Sequence, residues 1–209
     1  RKIKCAPCCK PPVWRVRGWI RKLKMDGKMQ YFLNIIPLSE HLKYSLANIP
    51  NKAGLYAFWW INDSNNERLK QANRVITLKG AAGQKVQVEY QYEWHKDLPA
   101  PCLYVGKSTN LRQRISQHLL ISKEKRLHDA RDDFLKAKPY NTSCQLRWGI
   151  EHIFPNDVEQ PTDIIKNHIG LTYRVIDDEC VSNPVAERFF EEDKYIGLWR
   201  PWFNIDSER

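Results

Sequence analysis

Apolar and polar positions alternate along the chain in short blocks, and most of these blocks predict strands. Residues 53–61, AGLYAFWWI, form an apolar and aromatic run bounded by glycine and by Asn-Asp, as in a buried strand. Residues 75–92 hold two β-rich runs around two glycines, and apolar and polar residues alternate in the second run, which predicts a hairpin. Residues 102–106, 144–154 and 171–176 predict three further strands.

Two segments carry helical patterns. Ser108 or Thr109 is expected to cap a helix over about 110–121, because a short hydroxyl side chain can accept a bond from the first free N–H groups of a helix. Asn183-Pro184 predicts the start of a final helix that ends before Pro201, since proline at the first helical position loses no hydrogen bond. Strands and helices mix without regular alternation, so the predicted fold class is α+β and not a doubly wound sheet.

Charge divides the chain into a basic arm and a nearly neutral body. The formal net charge is +10, and residues 1–30 hold ten of the 34 Lys and Arg residues but one of the 24 acids. We expect residues 1–50 to form this arm with a short lead-in helix, and residues 51–209 to form one domain. The arm indicates an anionic partner such as nucleic acid, because Lys and Arg release the counterions of phosphates; a solvated terminus is the alternative.

Cysteine content and hydropathy predict a cytoplasmic protein. Cys5, Cys8 and Cys9 include half of a zinc site, but no second pair follows at zinc-finger spacing, so free thiols are expected and a truncated zinc module is the alternative. No run is long enough to span a membrane and no signal-peptide pattern opens the chain, so no membrane partner is expected. Because the chain begins at Arg1, a fragment of a longer protein is one interpretation.

Residues 103–118, LYVGKSTNLRQRISQH, concentrate charged and aromatic side chains. The GKS at 106–108 matches the end of a phosphate-binding P-loop, but that loop needs a glycine five positions earlier, where Pro101 stands without an N–H. This excludes a P-loop hydrolase. In the helix that follows, Arg114 and His118 lie one turn apart beside an apolar stripe, which suits contact with a phosphate oxygen and proton transfer; a plain surface pair is the alternative.

The final helix places a carboxylate among apolar residues. Its predicted inward stripe consists of Val185, Phe189, Ile196 and Trp199. Glu192 falls within this stripe, and an ionised carboxylate on an apolar face is costly unless it is paired or bound to a metal. A salt bridge, with Arg114 as a candidate partner, and a metal site are both open interpretations.

Five pieces of the sequence, taken in order and at their spacings, resemble the GIY-YIG nuclease superfamily. They are GLY at 54–56, YVG at 104–106, Arg114, His118, and EDKYIGLWRPWFN at 192–204. The resemblance implies a small three-stranded antiparallel sheet flanked by helices, here with the inserted β-hairpin and the N-terminal basic arm. It also implies that Glu192 holds one Mg²⁺, with Mn²⁺ as a substitute, and that Arg114 neutralises charge on the phosphorane.

The same resemblance implies roles for the other matched residues. Tyr56 would deprotonate or orient the attacking water with help from Lys107 or His118, because a phenol with a pKa near 10 is a poor base without a nearby cation. Tyr104 would contact the phosphate or share the base role. Asn204 would hydrogen-bond within the site and steady the glutamate or a tyrosine. A core aromatic with a tethered hydroxyl is the alternative interpretation of each tyrosine.

The chain departs from the superfamily pattern in two ways. Leu55 and Val105 stand where the superfamily has isoleucines, and an insertion at about 62–101 separates the two tyrosine motifs. An expanded loop followed by YVGK resembles the restriction-endonuclease branch. The expected function is therefore a divalent-metal-dependent DNA endonuclease of restriction or phage-defence type. It would act on double-stranded DNA, as a homodimer or by successive nicks.

Three other functions are compatible with the sequence. The first is the nuclease domain of a larger repair, homing or mobile-element protein. The second is a catalytically inactive DNA-binding module, which the joint presence of Tyr56, Tyr104, Arg114, Glu192 and Asn204 argues against. The third is an RNA nuclease, since the phosphodiester chemistry is the same and only contacts to the 2′-hydroxyl would distinguish the substrates.

Overall fold

The computed structural model describes the chain apart from its first 33 residues, its last five and several internal segments. The described ranges are 34–79, 85–91, 94, 98–122, 145–155, 159–176 and 182–204. Within them the fold is α+β, as predicted, with one four-stranded antiparallel sheet, a separate two-stranded hairpin and six α-helices. No helix in these ranges is both long and apolar enough to cross a membrane. The basic arm at 1–30, with Cys5, Cys8 and Cys9, lies outside the described residues.

The sheet is built from strands that lie far apart in the sequence. Its strands are β1 (Ile36–Pro37), β2 (Gly54–Trp60), β5 (Cys102–Ser108) and β6 (Ile169–Val175). They run in the order β1-β6-β2-β5, and each neighbouring pair is antiparallel. The predicted hairpin is confirmed: it joins β3 (Val75–Lys79) to β4 (Lys85–Glu89).

Six α-helices and one 3₁₀ turn at Ser64–Asn66 complete the described part of the chain. The helices are α1 (Leu38–Leu42), α2 (Glu67–Lys70), α3 (Leu111–Leu119), α4 (Gln145–Ile153), α5 (Pro161–His168) and α6 (Pro184–Trp199). The cap of α3 is Asn110, whose side chain accepts the Gln113 N–H at 3.1 Å, and not the predicted Ser108 or Thr109. The start of α6 at Pro184 and its end before Pro201 are as predicted.

Strand β2 is the central element of the fold and is buried along its whole length. Its alternating residues face two cores, a larger one with Tyr56, Phe58 and Trp60 and a smaller one with Leu55, Ala57 and Trp59. Tyr56 stands opposite Gly106 of β5 on one side and opposite Tyr173 of β6 on the other. Strand pairing on both sides therefore fixes the direction of the Tyr56 side chain, since side chains alternate between the faces of a sheet.

The described residues correct three expectations about the elements. The sheet has four strands and not three, because the two residues of β1 pair with β6. The lead-in therefore contains β1 as well as a helix, α1. Residues 144–154 were expected to form a strand, but Gln145–Ile153 is helical. Leu146, Ile150 and Ile153 recur at helical spacing and all three are buried, so the face packed against the core is that of a helix.

The rotation of α6 also differs from the predicted stripe. Val185 and Phe189 are each 53% exposed, whereas Tyr195 and Trp199 are fully buried. Tyr195 stacks on Trp199 at 4.4 Å between ring centroids, and Trp199 packs against Trp59 of β2 at 4.8 Å. Burial of these two large aromatic rings stabilises the fold more than burial of the apolar side chains in the first turn of α6 would. The rings therefore set the rotation of the helix about its axis.

Gly106 is required by the close approach of β2 and β5, and we predict that Gly106→Ala is destabilising. A Cβ at this position would lie 2.6 Å from Tyr56 Cζ and 2.7 Å from Tyr104 Cε1, which is closer to both rings than van der Waals contact allows. Overpacking of this kind costs about 1–3 kcal/mol of unfolding free energy, measurable by urea denaturation.

Gly197→Ala is the matched control for that substitution. Nothing lies within 4 Å of a Cβ built at Gly197, an exposed position in α6. Alanine there should stabilise the protein by about 0.5–1 kcal/mol, because it restricts the unfolded chain and favours the helix. An unfolding free energy for Gly106→Ala equal to that of the unmodified protein would contradict the packing described here.

Candidate active site

Two tyrosines from neighbouring strands form the centre of the candidate site. Tyr56 on β2 is fully buried and Tyr104 on β5 is 6% exposed, and both belong to the larger core. Their ring centroids are 6.0 Å apart. The missing side chain of Gly106 is what lets the two rings approach each other at the middle of the β2–β5 pair. The resemblance to the GIY-YIG superfamily implied one site for both tyrosines, and the described structure brings them together.

Helix α3 adds a histidine and an arginine to the tyrosine pair. Its buried stripe of Leu111, Ile115 and Leu119 anchors the helix in the core, as its spacing indicated. His118 Nε2 lies 2.7 Å from the Tyr56 hydroxyl, and Arg114 Nε donates to the same oxygen at 3.3 Å. The one-turn spacing of these two residues on α3 therefore points both of them at a single phenol oxygen.

Helix α4, which the sequence patterns did not predict, selects the tautomer of His118. The backbone N–H of Leu146, in α4, donates to His118 Nδ1 at 3.4 Å. Since Nδ1 accepts this bond, the proton of the neutral ring sits on Nε2, which then donates to Tyr56. The contact with Leu146 was missed because residues 144–154 read as a strand, although Leu146, Ile150 and Ile153 already showed a helical period.

Burial determines the charge state of this cluster. Desolvation raises the pKa of Tyr56 well above its usual range. Desolvation also raises the pKa of Tyr104; the positive charge of Arg114 acts against this increase, and the negative charge of Glu192 adds to it. Desolvation and the charge of Arg114 lower the pKa of His118 well below its usual range. For Arg114, the two tyrosines outweigh the effect of burial and raise its pKa. Near neutral pH the cluster therefore holds two neutral phenols, a neutral imidazole and a guanidinium.

Glu192 reaches the same region from α6, where it pairs with Lys107 at the end of β5. The Lys107 backbone N–H donates to Glu192 Oε1 at 3.1 Å, and the Lys107 ammonium contacts Oε2. The Glu192 side chain is 12% exposed and that of Lys107 is 29% exposed. Lys107 is thus an ion-pair partner of Glu192, whereas the sequence had suggested Arg114 as a candidate for that role.

The Lys107 ammonium has a second contact, on the exposed face of α6. It lies 4.0 Å from the centroid of the Phe189 ring, a cation–π arrangement. The sequence placed Phe189 in the buried stripe, but its ring is at the surface one turn before Glu192. Lys107 is therefore held between a carboxylate and an aromatic ring.

Asn204 joins the end of the described chain to β5. Its Oδ1 accepts the Val105 N–H at 2.8 Å, and its Nδ2 donates to the Val105 carbonyl at 2.7 Å. The adjacent Phe203 N–H donates to the Leu103 carbonyl at 2.8 Å. Val105 lies between Tyr104 and Gly106, so Asn204 steadies the part of β5 that carries both of these site residues.

Among the described residues, the carboxylates and imidazoles do not converge on a multi-ligand metal site. No group of three or more His, Cys, Asp or Glu side chains there is arranged to hold a metal ion. Glu192 is the acidic side chain that the described structure places against Lys107 and near Tyr104. An oxygen-binding ion that takes most of its ligands from water and substrate is the kind that such a site suits.

A cavity at the other end of β2 is separate from this cluster. It has a volume of about 510 Å³ and lies between Trp60, the turn at 62–66, Trp94 and residues 98–101. Trp60 is four residues from Tyr56 along an extended strand, which corresponds to about 13 Å. The residues matched to the candidate site therefore lie outside this cavity.

Comparison with known proteins adds no relative to this picture. No protein family, curated protein or solved structure compared with this chain matches it. Any assignment of function therefore depends on the side chains of this chain and on the chemistry that they can perform.

The buried imidazole predicts a loss of stability in acid. His118 stays neutral in the folded protein, whereas in the unfolded chain it takes up a proton below about pH 6.5. The free energy of unfolding should therefore fall as the pH drops below 6.5, and His41 and His152, whose pKa values burial also lowers, act in the same direction. His118→Gln should reduce the slope of the free energy of unfolding against pH by up to about 1.4 kcal/mol per pH unit, measured by urea denaturation between pH 7 and 5.

Tyr56→Phe is the control for this measurement. It removes the hydroxyl that His118 contacts but retains the buried imidazole, so the slope should persist. Equal slopes for His118→Gln and the unmodified protein would mean that His118 is protonated, or exposed, in the folded state.

Proposed function

We propose that this protein is a divalent-metal-dependent DNA endonuclease of the GIY-YIG type. The observation that carries the proposal is the convergence of side chains from three separate parts of the sequence. Tyr56 comes from β2, Tyr104 from β5 and Arg114 and His118 from α3, and the charge of Glu192 on α6 is close enough to act on the pKa of Tyr104. A phenol pair, a guanidinium and a carboxylate at one place suit phosphodiester hydrolysis.

The residues present fit a single Mg²⁺ held mainly by water and substrate. Glu192 would provide the one protein carboxylate, and Mg²⁺ commonly binds through one or two carboxylates together with phosphate oxygens, with Mn²⁺ as a substitute. When bound, such an ion polarises the scissile phosphate and stabilises the leaving oxygen. A structural zinc site would need four ligands and does not fit this arrangement.

Arg114 is suited to bind the phosphate itself. Its guanidinium is half-buried, remains charged and already donates from Nε to Tyr56. It also hydrogen-bonds Tyr104, and since a guanidinium carries five N–H donors in a fixed fork geometry, it can bond a non-bridging phosphate oxygen in addition to the two phenols. Arg114 would therefore align the phosphate with the phenol oxygen of Tyr56 and stabilise negative charge that develops in the transition state.

Tyr56 is the candidate for orienting and activating the attacking water. Its oxygen accepts bonds from His118 and Arg114, so its own proton is directed to another acceptor. In the free protein burial keeps the phenol protonated. A base role would thus require additional positive charge near the oxygen when substrate is bound, while the two N–H donors would stabilise the phenolate.

The proposed substrate is double-stranded DNA, with restriction or phage defence as the proposed context. The net charge of +10, concentrated in the arm, supports a polyanionic partner. One site in each chain would cut both strands through a homodimer or by two successive nicks. The nuclease domain of a larger protein has the same site chemistry, and its activity on DNA would be measured by the same assay.

The proposal predicts cleavage of plasmid and phage DNA that requires Mg²⁺ and is stopped by EDTA. Glu192→Gln removes the carboxylate charge with little change of shape, and Arg114→Leu removes the phosphate-binding guanidinium. Each should lower the cleavage rate by at least about 100-fold, the usual cost of losing a group that stabilises the transition state. Gel electrophoresis of the products gives the rates.

Glu191→Gln is the matched control for Glu192→Gln. Glu191 is the adjacent carboxylate on α6, and it is paired with Arg174 at 2.9 Å outside the tyrosine cluster. Its substitution should leave the cleavage rate within about threefold of the unmodified rate, because Glu191 is paired with Arg174 and not with a residue of the candidate site. Tight DNA binding without cleavage at any metal concentration would contradict the endonuclease proposal and favour a binding module.

A further inference from the structure

One lysine occupies both oxygens of the carboxylate that the proposed metal needs. The Lys107 backbone N–H donates to Glu192 Oε1, and the side-chain ammonium of the same residue contacts Oε2. The two contacts differ in kind. The backbone N–H belongs to β5 and is fixed by strand pairing, whereas the ammonium is at the end of a flexible four-carbon side chain.

An ammonium and a divalent cation compete for this carboxylate. Both are positive, and at a few ångströms in a partly buried site they repel each other strongly. Glu192 is 12% exposed, so water screens the repulsion only in part. A metal ion at Oε2 therefore requires the Lys107 ammonium to leave.

The surroundings give the ammonium a path away from Glu192. The Lys107 side chain is 29% exposed, and it lies over the exposed ring of Phe189 and not beneath a packed layer. The backbone N–H can stay on Oε1 while the ammonium moves, so the carboxylate keeps its orientation. A phosphate oxygen is the natural new partner, because it offers the ammonium a charge-assisted bond.

We propose that Lys107 is a built-in counter-ion that makes metal binding at Glu192 depend on the arrival of a phosphate. This inference rests on the proposed function, since it takes Glu192 as the metal ligand. In the free protein Lys107 neutralises Glu192 and weakens its affinity for metal. When a DNA phosphate enters the site, the ammonium transfers to the phosphate and the carboxylate becomes available. Binding of metal and of DNA are then coupled, and by linkage each strengthens the other equally.

Mn²⁺ binding in the absence of DNA tests the first half of the inference. Electron paramagnetic resonance counts free Mn²⁺ in titrations of the full chain and of its variants. Lys107→Met keeps the length of the side chain without its charge and should bind Mn²⁺ at least about fivefold more tightly, the lower end of usual coupling between sites. Lys107→Arg keeps the charge and should bind Mn²⁺ as the unmodified protein does.

Lys194→Met is the control for a simple change in net charge. Lys194 lies on the same helix as Glu192, and its ammonium is 3.4 Å from the neighbouring carboxylate of Glu191. Its loss removes the same charge two residues from Glu192 in the sequence, yet it should change the Mn²⁺ affinity less than twofold. Melting curves establish that each variant is folded before its affinity is compared.

A DNA duplex tests the second half. A 20-base-pair duplex of mixed sequence with phosphorothioate linkages keeps the backbone charge and resists cleavage. It should tighten Mn²⁺ binding in both proteins, because its phosphates add ligands for the ion. The tightening should be at least about fivefold greater for the unmodified protein than for Lys107→Met, because in that variant no ammonium remains to be transferred.

The outcomes separate this inference from the proposed function. If Glu192→Gln binds Mn²⁺ as tightly as the unmodified protein, the metal site assigned under the proposed function is wrong. If Glu192→Gln loses binding but Lys107→Met does not gain it, the metal site stands and the counter-ion role is overturned. If Lys107→Met gains affinity but the duplex tightens Mn²⁺ equally in both proteins, the coupling to phosphate is overturned.

Discussion

The hydroxyl of Tyr56 is the group on which the arrangement of the described fold depends. It is fully buried on the central strand, and a buried hydroxyl without a partner costs a few kcal/mol. His118 and Arg114 satisfy it from α3, so that helix must follow β5 at one angle and one rotation. Gly106 must in turn leave room for the ring between the paired strands. Strand register, the anchoring of α3 and the absence of a side chain at Gly106 are thus mutually consistent, because together they give one buried phenol oxygen its partners.

The candidate site divides into a fixed part and a part that can move. Tyr56 and His118 have no exposure, and their protonation is set by burial and by a backbone donor from α4. Lys107 and Glu192 lie at the margin, where a long side chain can exchange partners without disturbing the core. Catalytic groups benefit from such preorganisation because rigid donors need no rearrangement during reaction, while binding of charged ligands benefits from a cation that can move.

Local patterns predicted the elements better than their orientation. The strand at 53–61, the hairpin and the start of α6 each follow from residue types within a short window, and the structure has them. The rotation of α6 about its axis could not be predicted in this way. It is set by the packing of Trp199 against Trp59, a residue distant in the sequence, and not by the apolar residues in the first turns of the helix. The helix at 145–153 was hidden by its aromatic and β-branched residues, which favour strands by propensity although tertiary packing decides. The site residues were named by resemblance, but the contact of Lys107 with Glu192 needed coordinates.

The shape of the proposed DNA substrate agrees with a candidate site that lies apart from the cavity near Trp60. Cavities of about 300–1,000 Å³ suit small molecules, since they remove most of the surface of a ligand from water. A phosphodiester within a duplex cannot enter such a pocket, because the backbone on both sides must continue past the site. Cleavage therefore requires charged groups at an open edge, with their positions fixed from beneath. Arg114, Lys107 and Glu192 meet this requirement above the buried tyrosines, whereas the cavity at the far end of β2 does not.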